Sequence, residues 1–136
     1  MKHNRFVNVA SAVLILFSAF SLLMVSAMAF FSPQMVMDLV QVKLPNNDAF
    51  SSIRGVYGGV GLTIVISLVY LLVKDKKQAL GFLTMLWGFY ALSRLLTIVA
   101  EGPLGDFGSR WLGIESVLFI CSAALLTMYP NTPKKA

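Results

Sequence analysis

Four long apolar runs constrain this chain more than any other feature. They cover residues 6–31, 55–73, 79–100 and 111–129, and each is closed by charge, proline or glycine. A helix that crosses the hydrocarbon core of a bilayer needs about 20 such residues. The first two runs carry no charge; the third is interrupted once by Arg94 and the fourth once by Glu115. Only 12% of the residues are charged and 57% are hydrophobic, whereas an average soluble domain is roughly 25% charged. A water-soluble chain of 136 residues has too much surface to cover with so few polar groups. Lipid is the solvent that fits. The expected fold is all-α, an integral membrane four-helix bundle that takes residues 1–136 as a single membrane domain.

The punctuation between runs fills in the connections. Lys2 and Arg5 precede the first run. Ala27-Met28-Ala29 resembles a signal-peptide cleavage site, so a cleaved leader competes with a first span. The run is much longer than the roughly 7–15 residues of a signal h-region, which favours the span. Ser32-Pro33 reads as an N-cap followed by Pro at the first helical position. The outer loop, residues 32–54, has room for a short amphipathic helix lying in the interface. The alternation Val40-Gln41-Val42-Lys43-Leu44 keeps a strand open there. Pro45-Asn46-Asn47-Asp48 is a turn. Lys74-Asp75-Lys76-Lys77 forms a tight loop, and residues 102–108 form a glycine-rich turn after Glu101.

Basic residues set the orientation, because Lys and Arg are enriched in cytoplasmic loops. Lys2, Arg5, Lys74, Lys76, Lys77, Lys134 and Lys135 fall on one side, against Lys43, Arg54 and Arg110 on the other. That imbalance predicts an N-in/C-in chain in a cytoplasmic membrane. Trp111 and Tyr129 bracket the last run as interfacial aromatics do. The net charge of +5 is accounted for by these clusters. With no basic stripe on a soluble face, no nucleic acid partner is expected.

The residue inventory limits the chemistry. The single histidine is His3 and the single cysteine is Cys121. A His/Cys metal cluster or a His-dependent triad within one chain is therefore excluded. No metal, no cofactor and no enzymatic activity are expected. Met24, Met28, Met35 and Met37 read as lipid-facing or gap-filling. The stretch Arg54-Gly55-Val56-Tyr57-Gly58-Gly59-Val60-Gly61 is rich in glycine, but it lacks the preceding strand and Lys-Ser/Thr of a phosphate loop. Ser51, Gly55, Gly59, Thr63 and Ser67 recur every four residues, a small-xxx-small ladder that lets a second helix approach closely in lipid.

The charges inside the runs are the candidates for function. Arg94 lies about two turns before the end of the third run. Glu101 follows it by seven residues, on the same helical face. Glu115 sits about one turn inside the fourth run and Arg54 opens the second. Tyr57 and Tyr90 lie one turn from the two arginines. The bland reading is a structural ion pair of Arg94 with Glu115 or Glu101. The sharper one is a polar site in the outer half of the bundle, lined by Arg54, Tyr57, Tyr90, Arg94, Glu101 and Glu115. Such a site would take membrane lipid, a lipid-like ligand or a partner helix. A small oligomeric transporter or channel, with Glu115 as carrier, is the alternative; the ladder would then supply a homo-oligomer interface.

The Arg-Gly-Val-Tyr-Gly-Gly opening of the second run, Arg94, Glu101-Gly102-Pro103 and Glu115 together resemble a family of small bacterial membrane proteins known only as domain of unknown function number 4345. The resemblance is clearest over residues 50–128. It implies four helices in a bacterial inner membrane, and it brings no activity, substrate or catalytic residue with it.

Overall fold

Caps decide where the helices begin and end, and they move several of the expected boundaries. The computed structural model describes residues 2–130, with side chains from residue 4 onward. Lys134, Lys135 and the side chains of Lys2 and His3 lie outside the described residues. The described chain is all-α. Helices α1 (Lys2–Phe31), α2 (Pro33–Asp38) and α3 (Asn47–Ile53) lead into a π-helical segment, Arg54–Val60, followed by α4 (Gly61–Lys74), α5 (Lys76–Ala100) and α6 (Asp106–Met128). Four helices are long and apolar enough to cross a membrane: Asn4–Phe31, the continuous Asn47–Lys74, Lys76–Ala100 and Asp106–Met128.

The second long helix begins well before residue 55. Asn46 caps it, its side chain accepting the Ala49 N–H at 2.9 Å. Residues 47–54 are therefore helix rather than outer loop. The expected loop at 74–77 shrinks to one residue in the same way. Asp75 alone separates α4 from α5, and its carboxylate accepts the Gln78 N–H at 3.0 Å. This is N-capping of orphan donors by a short polar side chain. Ser32 precedes Pro33 as expected, but its side chain makes no cap hydrogen bond.

The strand left open over residues 40–44 does not form. Gln41 takes a left-handed backbone, φ 59°. The Val42 N–H reaches back to Met37 O at 3.0 Å and the Gln41 N–H to Asp38 O at 3.1 Å. That pair of bonds is a Schellman motif, which satisfies the last carbonyls of a helix. Gln34 then ties the loop down. Its amide nitrogen donates to Asp38 Oδ1 at 2.7 Å and to Val42 O at 2.9 Å, and its oxygen accepts the Leu44 N–H at 3.0 Å.

The chain divides into two compact units, residues 16–71 and residues 1–15 with 72–136. In the first, Ala29, Val36 and Met37 form a small apolar core backed by Val25, Met28, Leu44 and Ile53. This core seats α2 under the end of α1. In the second unit, α5 and α6 run antiparallel: Arg94 meets Glu115, and one and a half turns earlier in α5, Gly88 meets the ring of Phe119. The buried face of α5 is Ala79, Leu83, Trp87 and Ala91, at a four-residue repeat, with Leu80 beside them, so that one stripe points inward.

Candidate functional site

Arg94 and Glu115 are brought together by the antiparallel register of α5 and α6. Arg94 Nε donates to Glu115 Oε2 at 2.6 Å and Nη2 donates to Oε1 at 2.8 Å. The planar fork of arginine matches the two carboxylate oxygens, and such charge-assisted pairs are the strong ones. Glu115 is 2% exposed, whereas the Arg94 side chain is 20% exposed. The pair is thus closed on the acid side and open on the arginine side. Nη1 takes no part in the fork. The ring of Phe107, on the first turn of α6, lies 5.9 Å from the guanidinium carbon, within cation–π range. Earlier on α5, Trp87 and Tyr90 pack at a tilt, with ring centroids 5.9 Å apart. Trp87 is buried and Tyr90 is exposed.

Of the two expected partners for Arg94, the fork goes to Glu115. Glu101 is the exposed C-cap of α5, its backbone N–H bonded to Thr97 O. Arg54 and Tyr57 belong to the other compact unit. There Arg54 Nε donates to Phe30 O at 3.1 Å. Phe30 is one residue from the end of α1, a helix with no basic residue in its own last turn. Arg54 therefore supplies the positive charge and the donor that a helix C-terminus attracts. Tyr57 is exposed on the π segment.

The small-residue ladder has an open face. A Cβ added at Gly55 or at Gly59 would meet nothing within 4 Å. Thr63 and Ser67 turn their hydroxyls back to the carbonyls of Gly59 and Thr63. The close approaches fall on two other glycines. A Cβ at Gly58 would stand 3.0 Å from the Phe30 ring, and one at Gly61 would collide with Ser26 Oγ. These glycines lie in and directly after the π-helical segment. A spacing of four residues marks one face only in an α-helix, and a π turn inserts an extra residue. Within this unit the contacts are therefore made at Gly58 and Gly61, while Gly55 and Gly59 stay open.

Gly58, Gly61, Gln34 and Asp75 are the working residues that the spacing arguments passed over. Asp75 alone had a local signal, an acidic residue three positions before Gln78, as in a capping box. Among the described residues no group of three or more His, Cys, Asp or Glu side chains is placed to hold a metal ion.

No curated protein and no solved structure matches the chain. The profile of a family described as a domain of unknown function (DUF4345) matches residues 10–126, a stretch that contains the π segment, the Arg94–Glu115 fork and the ladder. The chain belongs to that family.

Proposed function

We propose that the protein is a non-enzymatic, multi-pass protein of the bacterial inner membrane, with N-in/C-in topology, that holds a lipid-like ligand or a partner helix at the Arg94–Glu115 pair. The membrane reading is supported by what the helices leave uncovered. Phe20, Ile66, Phe89 and Ile120 are each more than 60% exposed. Large apolar patches of this kind mark surfaces that meet lipid or protein.

The observation that carries the binding reading is the one-sided geometry of the fork. Glu115 is buried and uses both oxygens on Arg94. The pair is neutral as a whole, so it does not attract a bare anion as a free arginine would. It does offer the Nη1 N–H groups at the open side. In hydrocarbon an unanswered N–H is costly. An ester, phosphodiester or backbone carbonyl oxygen would answer it, and Phe107 and Tyr90 supply apolar and aromatic surface beside that oxygen.

The test replaces both partners. The Arg94→Leu/Glu115→Leu variant keeps α5 and α6 apolar where they touch and removes the donor. Lipids and proteins that co-purify with the native chain should be lost from this variant. If the same molecules are retained, the pair serves only to join two helices and the binding reading fails.

A small oligomeric transporter or channel is the second reading. It is favoured by the open Gly55–Gly59 face, which suits close packing against another helix. Flux into liposomes, lost on Glu115→Gln, would support it.

A further inference from the structure

The end of the α5–α6 unit opposite the Arg94–Glu115 pair carries a second polar feature. A half-open concavity of about 300 Å³ lies where α4 passes into α5. Lys74, Lys76 and Lys77 line it, together with Asp75 and Tyr129; Leu72 and Val73 complete its wall. Three cations therefore face one carboxylate, and that carboxylate is turned into the start of α5, where it caps the Gln78 N–H. Among the described lining residues the cations outnumber the carboxylate three to one. Lys76 Nζ donates to Asn8 Oδ1 at 2.7 Å, which fixes the first turns of α1 beside this corner. Arg5 lies three residues earlier, on the same face of α1 as Asn8. An ammonium group has three donors, so Lys76 keeps two after bonding Asn8.

This arrangement combines what an anionic amphiphile needs. The lysines meet phosphate oxygens, the phenol of Tyr129 is a further donor at the rim, and Leu72 and Val73 lead from the charged corner onto the apolar body of α4. Basic pockets at the ends of membrane-crossing helices bind anionic head groups in this way, with roughly 1 kcal/mol per basic residue near the surface. We propose that the corner formed by Lys74, Lys76, Lys77 and Tyr129 is a head-group site for an anionic phospholipid. The proposal rests on the membrane reading given above. It assigns the shared chemistry, a phosphate oxygen held by lysines, to a lipid rather than to a free phosphate ester, because the wall continues into apolar surface.

The full chain, purified in a neutral detergent, is offered phosphatidylglycerol, phosphatidylcholine and soluble glycerol phosphate. Bound molecules are counted by native mass spectrometry. The expected result is a preference for phosphatidylglycerol over phosphatidylcholine on the order of tenfold or more, with no retention of glycerol phosphate. The Lys74→Gln/Lys76→Gln/Lys77→Gln variant should bind both lipids alike, and the corresponding triple Arg variant should keep the preference. An undiminished preference in the triple Gln variant overturns the proposal. So does retention of glycerol phosphate without a lipid preference. Should the triple Gln variant fail to fold, Lys74→Glu decides, because Lys74 is exposed. It should lower the preference several-fold, and an unchanged preference overturns the site. A chain that does not enter phosphatidylcholine vesicles at all refutes the membrane reading itself. A chain that enters them but shows no lipid preference refutes the head-group site alone.

Discussion

Arg94 and Glu115 meet through two parallel hydrogen bonds of 2.6 and 2.8 Å, yet only the acid is sealed from its surroundings. The carboxylate depends on the guanidinium completely, because it is 2% exposed. Removing one partner of a buried pair strands the other charge, which costs about 3–5 kcal/mol. Removing both leaves apolar side chains in an apolar place, which is often neutral. Arg94→Leu and Glu115→Leu are each expected to destabilise by an amount of that order. The double variant should lie within about 1 kcal/mol of the native chain, far less than the sum, because residues in one ion pair are not additive. Unfolding in mixed detergent micelles measures all three. Additive losses would mean that the fork contributes nothing as a pair.

The glycines predict opposite outcomes at positions close together in sequence. Gly55→Ala and Gly59→Ala place a methyl group in open space and gain helix propensity, up to about 1 kcal/mol each. Gly61→Ala drives a methyl group into Ser26 Oγ; overpacking of this kind costs about 1–3 kcal/mol. Ser26→Ala removes the obstructing atom. The Gly61→Ala/Ser26→Ala variant should therefore recover most of the loss, since the next nearest atom, Ser26 Cβ, stands 3.4 Å away. Thermal unfolding of the five variants checks the series. An equal loss at Gly59 and Gly61 would show that the ladder face is in contact after all.

These two cases also mark what could be read from the residues alone. The apolar runs and the charges that interrupt them are local facts, so the four long helices were legible, and Arg94 was legible as one half of an ion pair whose partner, Glu101 or Glu115, the residues alone left open. The ladder was read on the spacing of an α-helix, whereas Arg54–Val60 is π-helical, and within the chain the close contacts fall on Gly58 and Gly61 instead. Arg54 had a legible charge and an illegible partner. Its bond to Phe30 O spans 24 residues and depends on how α1 meets the π segment. Gln34 was invisible for the same reason. Its three partners come from α2 and from the loop after it, and only the folded loop makes one amide serve them all.

Gln41 holds the left-handed position of the Schellman motif after α2. Glycine occupies that position without steric penalty, while other L-residues pay roughly 1–2 kcal/mol there. Gln41→Gly is therefore expected to stabilise the loop by up to about 1 kcal/mol, part of the gain being lost to the more flexible unfolded chain. Gln41→Val should destabilise it by more. Hydrogen exchange at the Val42 amide, which bonds Met37 O, reports the local opening directly. Slower exchange in the valine variant than in the glycine variant would contradict the assignment.

Asp38 gives the same loop a dependence on acid. The Gln34 amide beside it, and then Lys43 at 3.2 Å, hold its carboxyl below the ordinary value of 3.8. The charged form is the one favoured in the folded loop. A group with a depressed folded pKa stabilises fully above its unfolded value and loses that contribution as pH falls through the folded one. The loop should accordingly be insensitive from neutral pH down to about 4 and loosen only below it. Asp38 is an exposed residue, so the effect is local and the rest of the fold should not follow it. Titration of the Gln34 side-chain amide signals by nuclear magnetic resonance should give a midpoint below 3.8, and Asp38→Asn should abolish the transition. A midpoint at or above 3.8 would mean that Gln34 and Lys43 do not favour the carboxylate, and that the loop is held by the Schellman bonds alone.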